Sequence, residues 1–359
     1  MMPSQPISPI APAASPSQAA WGAQALWEQL VGTLPGVSVE VLARSPSTNT
    51  VLLERARAAS GAGNDSGNAD DPLRSNAALV RRSTESRAFG RRAVDLQPCL
   101  LVAEHQTAGR GRHGHHWHAA AGSSLTFSLA MTLNPPDWAG LSLAVGVALA
   151  EALDPTDTPT EARTAPRLCI KWPNDLWLVD ADAATNAHNN AHKNANNNAN
   201  ADLGRAALGR KLGGVLIETV VSGHKRWVVV GVGLNVAPLT LNPAQASSGT
   251  ACLQELDASF DAPKALARVA LPLVNALQTF ERDGFAAFAA RFAARDLLFQ
   301  SRVITTQVGL QDVLMQGIAQ GVSLDGALQV QTPQGLQSVF SGEVSVRPSP
   351  LPLTAGAPC

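Results

Sequence analysis

Clustered cysteine is absent from this chain. Its four cysteines stand at positions 99, 169, 252 and 359, far apart and without a Cys-x-x-Cys pair. Neither a disulfide framework nor a cysteine-based zinc site fits such a distribution. A reducing compartment is the simplest setting for scattered thiols, so the sequence predicts a cytoplasmic protein.

An excess of charge of either sign is also missing. The formal net charge of the 359 residues is −1, which leaves no electrostatic footprint for nucleic acid or for an anionic membrane surface. Residues 1–20 carry no charged side chain, and they offer neither the basic start nor the apolar block of a signal peptide. We therefore expect a disordered tail at 1–20, and neither a nucleic-acid nor a membrane partner.

Lysine is scarce as well, since only five of the 27 basic residues are lysines. Two of them, Lys171 and Lys211, begin the conspicuous motifs Lys-Trp-Pro-Asn-Asp and Lys-Leu-Gly-Gly-Val-Leu-Ile-Glu. In so lysine-poor a chain they are harder to dismiss as ordinary solvated surface. Taken alone, Lys171 would be interpreted as a charge that protects a strand edge from aggregation.

The pattern along the chain predicts two folded domains. Between residues 21 and 298, apolar runs of strand type alternate with stretches of helical periodicity. After Leu298, short strands alternate with turns at Asp325-Gly326 and Pro333-Gln-Gly335. We expect a large ligand-binding domain at 21–298, with low-complexity insertions at 60–95 and 181–203. A small all-β domain at 299–348 and a tail at 349–359 would follow.

The most distinctive stretch, from Gln106 to Trp117, reads Gln-Thr-Ala-Gly-Arg-Gly-Arg-His-Gly-His-His-Trp and lies between two predicted strands. Glycine lets the backbone approach a ligand and point several N–H groups at one anion, and arginine adds a bidentate fork for phosphate or carboxylate. The alternative is a disordered Arg-Gly segment that binds RNA, but such segments belong to long low-complexity tails. The histidine spacing fits no structural zinc pattern. We therefore predict an ordered anion-binding loop.

Six motifs follow one another along the chain. They are Ser47-Thr-Asn49, Gly109-Arg-Gly-Arg112 with Gly114 and Trp117, Lys171-Trp-Pro-Asn-Asp175, Lys211-Leu-Gly-Gly-Val-Leu-Ile-Glu218, Gly231-Val-Gly-Leu-Asn235 and Gly342-Glu-Val-Ser-Val-Arg347. In this order and spacing they closely resemble the motifs of the biotin protein ligases, over residues 40–348, although any one motif alone would be weak support. The resemblance points to the monofunctional type. Only about forty residues, uncharged until Glu28, precede the first predicted strand, which is too little for a DNA-binding domain.

The resemblance implies an α+β fold. Its catalytic domain would be like that of class II aminoacyl-tRNA synthetases, with a mixed β-sheet and flanking helices, and a small C-terminal SH3-like β-barrel would follow. It also implies a two-step reaction that uses ATP and Mg²⁺. Biotin and ATP give biotinyl-5′-AMP and pyrophosphate, and a lysine of a biotin carboxyl carrier protein then takes the biotin. The carrier would belong to acetyl-CoA carboxylase or a related biotin-dependent carboxylase.

Roles for individual residues follow from the same resemblance. Lys211, Arg110 and Arg112 would be catalytic. Biotin would be bound by these three together with Ser47, Thr48, Asn49, Gln106, Gly109 and Gly214. ATP or the adenylate would be bound by Gly111, Trp117, Asn174, Asp175, Asn235, Glu343 and Arg347, with Asp175 also serving Mg²⁺.

Other interpretations stay open. Ser47-Thr-Asn49 would serve as a helix cap and Asp175 as a turn cap in any protein. His113, His115 and His116 take loop positions that are often arginine or lysine in relatives, and histidine carries less charge at neutral pH. The same architecture could attach lipoate or octanoate, against which the Gly-Arg-Gly-Arg and Lys-Trp-Pro-Asn-Asp motifs speak. A biotin-binding protein without catalysis is disfavoured by Lys211 and the two loop arginines.

Overall fold

A computed structural model describes residues 20–61, 97–155, 167–179, 209–222, 225–239, 249–307, 313–340 and 344–348. The predicted tail at 349–359, nearly all of the tail at 1–20, the insertion at 181–203 and nearly all of the insertion at 60–95 lie outside these ranges. Gly342 and Glu343 of the last motif lie outside them too.

The chain begins with a helix, a strand and a second helix. Helix α1 spans Ala23–Val31 and buries Leu26 and Leu30, strand β1 spans Ser38–Ser45, and helix α2 spans Thr48–Gly61. Helix α2 starts directly at the Ser-Thr-Asn motif, where the Thr50 N–H faces the Ser47 hydroxyl at 3.5 Å. The motif therefore lies at a helix N-terminus, as a cap would.

The large domain is built on a seven-stranded sheet. Besides β1 it contains β2 Cys99–Gln106, β5 Ser124–Thr132, β6 Arg167–Lys171, β7 Asp175–Val179, β8 Arg210–Ser222 and β9 Lys225–Asn235, while the short strands β3 Gly109–Arg110 and β4 His116–Trp117 form a separate hairpin. The order is β1-β2-β5-β9-β8-β7-β6. Only the β1–β2 pair is parallel among these ladders, so the predicted mixed sheet is confirmed.

Both faces of this sheet are covered, and alternate residues of β2 show how. Leu100 and Val102 belong to the larger core, which helices α1, α3 (Leu141–Leu153) and α4 (Ala262–Asp283) complete. Cys99 and Leu101 point to the other face, into a smaller core under α2. An apolar run without alternation is typical of a strand buried on both faces.

The helices of the larger core follow from their sequences. Helix α3 is alanine- and leucine-rich on all sides and is buried at nearly every position. Helix α4 begins at Asp261, whose carboxylate accepts the Lys264 N–H at 2.8 Å, and it ends at Gly284. A 3₁₀ turn at Phe285–Phe288 then leads into the short helix α5, Ala289–Ala293. No helix in the described ranges has both the length and the apolar character needed to span a bilayer.

The C-terminal region is an all-β domain, as predicted. Its strands are β10 Arg302–Gln307, β11 Val313–Val322, β12 Leu328–Thr332, β13 Gly335–Val339 and β14 Val344–Pro348. They form an antiparallel sheet in the order β13-β12-β11-β10-β14. In the described part of the chain, β13 and β14 are the two edges of this sheet.

The two domains come close at two loop glycines, Gly140 before α3 and Gly326 between β11 and β12. A Cβ placed on Gly326 would lie 2.7 Å from the Gly140 Cα, and both glycines have a left-handed φ, 77° and 78°. A side chain at Gly326 would collide with the Gly140 backbone unless one of the two segments shifted. Beside this contact, the buried Trp172 indole N–H donates to the Gly326 carbonyl at 3.0 Å. Trp172 belongs to the Lys-Trp-Pro-Asn-Asp motif, so the motif itself holds the C-terminal domain.

Candidate active site

A cavity of about 380 Å³ opens where the start of α2, the Gln106–Trp117 loop, the β6–β7 turn and strands β8, β9, β10 and β14 come together. Most of the predicted site residues line it. They are Ser47, Thr48, Asn49, Gln106, Arg110, Gly111, Arg112, Trp117, Asn174, Asp175, Lys211, Gly214 and Arg347. Motifs from both domains, far apart in sequence, are thus brought to one place.

The loop is an ordered hairpin. Gly109 pairs with Trp117, and Arg110 pairs with His116, in the β3–β4 ladder. A Cβ on Gly109 would lie 2.4 Å from the Trp117 carbonyl oxygen, so this crossing requires glycine. The Gly111 N–H donates to the His115 carbonyl at 2.7 Å. The hairpin presents Arg110 and Arg112, while His115 and His116 are exposed.

The neutral end of the cavity consists of Ser47, Thr48 and Gln106, beside strands β1 and β2. The Gln106 side-chain oxygen accepts the Thr48 N–H at 2.8 Å. The Thr48 hydroxyl lies 2.6 Å from the hydroxyl of Ser128, a fully buried serine on β5. These groups form a preorganised set of neutral donors and acceptors.

Asn49 is fully engaged inside the protein. Its amide nitrogen donates to the Leu216 carbonyl at 3.2 Å and to the Glu218 carboxylate at 3.0 Å. Its amide oxygen lies 2.6 Å from the Ser128 hydroxyl. Because both amide protons already have acceptors, Asn49 fixes the turn and leaves no donor over for a ligand.

Strand β9 makes room for these side chains with glycine. A Cβ on Gly231 would lie 2.2 Å from the Asn49 amide oxygen, and one on Gly233 would lie 2.5 Å from the Trp117 ring. The two glycines lie on one face of β9 because strand side chains alternate. On this side of the cavity, the Asn49 and Trp117 side chains therefore pack directly against the backbone of β9.

The cationic end consists of Arg112, Lys171, Lys211 and Arg347 around Asp175. The Lys211 ammonium donates to the Asp175 carboxylate at 2.7 Å, and Arg112 donates to the Asn174 side-chain oxygen at 3.3 Å. Asn174 is held in turn, because its amide donates to the Val215 carbonyl at 2.8 Å. Asp175 is the only carboxylate among the described residues that line the cavity.

Burial lowers the pKa values of two cations at this end of the cavity. Desolvation lowers the pKa of the Lys171 ammonium against the attraction of Asp175, and the nearby Lys211 and Arg347 lower it further. Desolvation likewise lowers the pKa of the Arg112 guanidinium, again opposed by Asp175. A polyanion bound here would reverse both effects, since a nearby negative charge favours the protonated form.

Comparison with known proteins agrees with these observations. Residues 83–235 match the biotin/lipoate A/B protein ligase family, and residues 302–347 match the biotin protein ligase C-terminal domain. The chain is 30% identical to the biotin--[acetyl-CoA-carboxylase] ligase of Mycobacterium tuberculosis, over 89% of this chain and 94% of that protein. The chain belongs to the biotin protein ligase family. The predicted family is thereby confirmed, and the C-terminal match makes the lipoate alternative less favoured.

Two further proteins are similar to this chain, one in sequence and one in structure. The bifunctional ligase/repressor BirA of Escherichia coli is 28% identical over 89% of this chain and 77% of its own length. The biotin protein ligase of Aquifex aeolicus, solved in complex with biotin and ATP, superposes with a TM-score of 0.55 at 22% identity, over 87% of this chain and 99% of that one. At that identity the superposition shows the biotin protein ligase fold.

Two of the predicted residues that the structure describes, Gly109 and Asn235, do not line this cavity. Gly109 supports the hairpin crossing instead. Asn235 is buried at the end of β9, where its amide donates to the Ala251 carbonyl at 3.0 Å. Glu343 lies outside the described residues. The roles assigned to these residues stay predictions.

Several residues at the site had no predicted role. Ser128 lies beneath the neutral end, Glu218 contacts Asn49, and Thr306 and Gln307 of β10 line the cavity with Lys171. Ser128 is one of several polar residues that alternate with apolar ones in β5, which reads Ser-Leu-Thr-Phe-Ser-Leu-Ala-Met-Thr, so the sequence does not distinguish it. Nothing in the pattern of β10 distinguishes Thr306 or Gln307.

Proposed function

We propose that this chain joins biotin to a lysine of a biotin carboxyl carrier protein, through biotinyl-5′-AMP made from biotin and ATP. The observation that carries the proposal is the pairing of a neutral end and a cationic end in one cavity. In the sheet order, β2 and β7 are four strand positions apart, roughly 19 Å at the usual strand spacing. A long ligand with an uncharged head and a phosphorylated tail suits such a cavity.

The neutral end would hold the uncharged ring system of biotin. Ser47, Thr48 and Gln106 offer hydroxyl, N–H and amide groups, which suit a urea-like group that both donates and accepts hydrogen bonds. Family membership supports this placement. Asn49 would act behind them, by holding the turn.

The cationic end would serve the first chemical step. A carboxylate oxygen of biotin attacks the α-phosphorus of ATP, and the bond to the pyrophosphate leaving group breaks. Two anions must approach each other in this step, so fixed cations are most effective where the charge crowds. Lys211, held by Asp175, would stand between the carboxylate and the α-phosphate, and Arg112 with Lys171 would contact phosphate oxygens.

The loop would serve the second step. The amine of the carrier lysine attacks the carbonyl carbon of biotinyl-5′-AMP, AMP leaves with the bonding electron pair, and the new amide loses a proton. Water attacks the same carbonyl, so the intermediate has to be covered until the carrier arrives. The Arg110–Arg112 hairpin lies over the cavity and is suited to that cover, with Gly111 and Trp117 next to the adenylate.

The site also suits Mg²⁺ that is held mainly by ATP. Mg²⁺ is commonly bound by one or two carboxylates plus substrate phosphates, and Asp175 is a single carboxylate among the lining cations. No group of three or more His, Cys, Asp or Glu side chains suited to a metal occurs within the described ranges. Asp175 would therefore hold the ion only together with phosphate oxygens, where the ion would neutralise their charge.

The finer structural and cellular assignments belong to the same proposal. We infer a class II aminoacyl-tRNA synthetase-like arrangement for the seven-stranded domain and an SH3-like barrel for the C-terminal one. The carrier would be that of acetyl-CoA carboxylase or a related carboxylase. Cys99, Cys169 and Cys252 form no disulfide among the described residues, in keeping with a cytoplasmic location.

The test is transfer of labelled biotin to a purified carrier domain, with ATP and Mg²⁺, beside the same assay with labelled lipoate. We expect biotin to be transferred and lipoate not. Transfer of lipoate in preference to biotin would favour the alternative ligase. Binding of biotin without pyrophosphate release or transfer would favour a non-catalytic biotin-binding protein.

A further inference from the structure

Glu218, on β8, lies behind the cavity and contacts both the loop and the turn at the start of α2. One carboxylate oxygen accepts the Arg110 guanidinium at 3.0 Å, and the other accepts the Asn49 amide at 3.0 Å. Arg110 also donates to the Thr50 hydroxyl at 3.3 Å. A single carboxylate thus joins a loop arginine to the first turn of α2.

The contact on the α2 side continues to the neutral end. Asn49 meets the buried Ser128, Ser128 meets the Thr48 hydroxyl, and Thr48 donates its N–H to Gln106. Gln106 is the first residue of the loop, and Arg110 lies within it. The hydrogen bonds therefore run from one base of the loop, under the cavity, back to the loop itself.

Two features make this path rigid. Asn49 is 3% exposed and Ser128 is 0% exposed, so their hydrogen bonds are shielded from water. The Asn49 amide also packs directly against the backbone of β9, because a Cβ on Gly231 would lie 2.2 Å from its oxygen. Only the Arg110 end is open, because the Arg110 side chain is 47% exposed while that of Glu218 is 23% exposed.

We propose that Glu218 is a positioning residue that couples closure of the Arg110–Arg112 loop to the biotin-binding turn. The inference rests on the proposed function, since it concerns how the adenylate is retained. Because the turn is already rigid, Asn49 holds Glu218 in place to receive Arg110. With Arg110 bound, the loop stays over the adenylate. Loss of the carboxylate charge should release the loop while leaving the turn intact.

Glu218→Gln separates the two contacts. The amide oxygen of glutamine still accepts from Asn49, but its NH₂ group faces the Arg110 guanidinium and offers it no acceptor. We expect biotinyl-5′-AMP to leave this variant on the order of tenfold faster, with the dissociation constant for biotin changed less than about threefold. Glu218→Ala removes both contacts, so it should raise both the release rate of biotinyl-5′-AMP and the dissociation constant for biotin.

Arg110→Ala supplies the coupling test. If Arg110 and Glu218 act as one unit, the double variant Arg110→Ala/Glu218→Gln should release the adenylate no faster than Arg110→Ala alone. Glu151→Gln is the matched control. Glu151 also pairs with a half-exposed arginine, Arg291, and the side-chain exposures of that pair are 45% and 34%. Glu151 does not line the cavity, so Glu151→Gln should release biotinyl-5′-AMP at the wild-type rate.

The experiment measures release of biotinyl-5′-AMP made by each purified full-length protein, together with biotin affinity and thermal unfolding. A wild type that forms no adenylate would overturn the proposed function and this inference together. Adenylate formed normally and released from Glu218→Gln at the wild-type rate would overturn the inference alone. Additive effects of Arg110→Ala and Glu218→Gln would also overturn it, because additivity would show that the two residues act independently.

Discussion

At the neutral end of the cavity the polar groups are already satisfied by one another, whereas at the cationic end the positive charges outnumber the carboxylates. Thr48, Gln106 and Ser128 form direct hydrogen bonds before any ligand arrives. At the other end, Asp175 accepts a hydrogen bond from Lys211 and also attracts the positive charges of Arg112 and Lys171. The first arrangement selects by shape and hydrogen bonding, and the second requires an anion to complete it.

The largest expected effect comes from the cationic end. Lys211→Ala should lower the rate of biotinyl-5′-AMP formation by about 10²–10³-fold, because a cation placed between two anions acts mainly in the transition state. Pyrophosphate release measures the effect. Lys264→Ala is the control, since Lys264 is an exposed lysine paired only loosely with Asp261 at 3.7 Å. A rate within threefold of the wild type for Lys211→Ala would remove the distinction between the two ends.

An intermediate effect is expected from the floor of the neutral end. In Gly231→Ala the new methyl group would lie 2.2 Å from the Asn49 amide oxygen, so the Asn49 side chain must leave Ser128 and Glu218. We expect the dissociation constant for biotin to rise roughly tenfold to a hundredfold, with ATP affinity little changed. Isothermal titration calorimetry with each ligand measures the biotin and ATP affinities separately. Gly32→Ala, where nothing lies within 4 Å of the added Cβ, should leave both affinities unchanged. Equal loss of biotin and ATP binding in Gly231→Ala would mean that the ends are not independent.

The smallest effect concerns the segment behind the cationic end. Asp296 bridges to Ile170 of β6, and its Oδ2 is buried without a hydrogen-bond partner in the described part of the chain. Burial raises the pKa of this carboxyl to about 6. The folded state therefore holds a proton that the unfolded state releases near pH 4, so the free energy of unfolding should fall as pH rises from 4 to 6.

Asp296→Asn removes this dependence. We expect the variant to gain on the order of 2 kcal/mol relative to the wild type between pH 4 and pH 7, measured by denaturant unfolding. Asp283→Asn is the control, because its side chain is 52% exposed. If the difference between Asp296→Asn and the wild type does not change with pH, burial does not raise the pKa of Asp296 in the folded protein.

Much of this architecture could be predicted because it depends on local pattern. Period-two alternation and apolar runs located the strands, and the glycine-rich loop was recognisable from residue types alone. Gly109 and Gly231 show why motif glycines are informative, since each lies where a Cβ would collide with backbone or with Asn49. Gly284, with a φ of 65°, ends α4 just before the 3₁₀ turn at Phe285–Phe288.

What could not be predicted depends on which partner a side chain meets. Asn235 has the same strand period as Gly231 and Gly233, yet its amide turns to the carbonyl of Ala251, since the segment at 249–251 lies alongside Lys211. Glu218 ends a recognised motif, but its contact with Arg110 joins residues 108 positions apart. Such pairings are set by the sheet order and not by the local sequence.

The glycine contact between the domains fixes more than their separation. Gly140 and Gly326 touch through backbone atoms, so no rotamer change can absorb a tilt of the C-terminal sheet. Arg347 and Gln307 lie on strands of that sheet and line the cavity. A tilt of the sheet would therefore move both side chains relative to the cavity. The close approach of Gly140 and Gly326 therefore helps to set how far these two residues reach toward the cationic end.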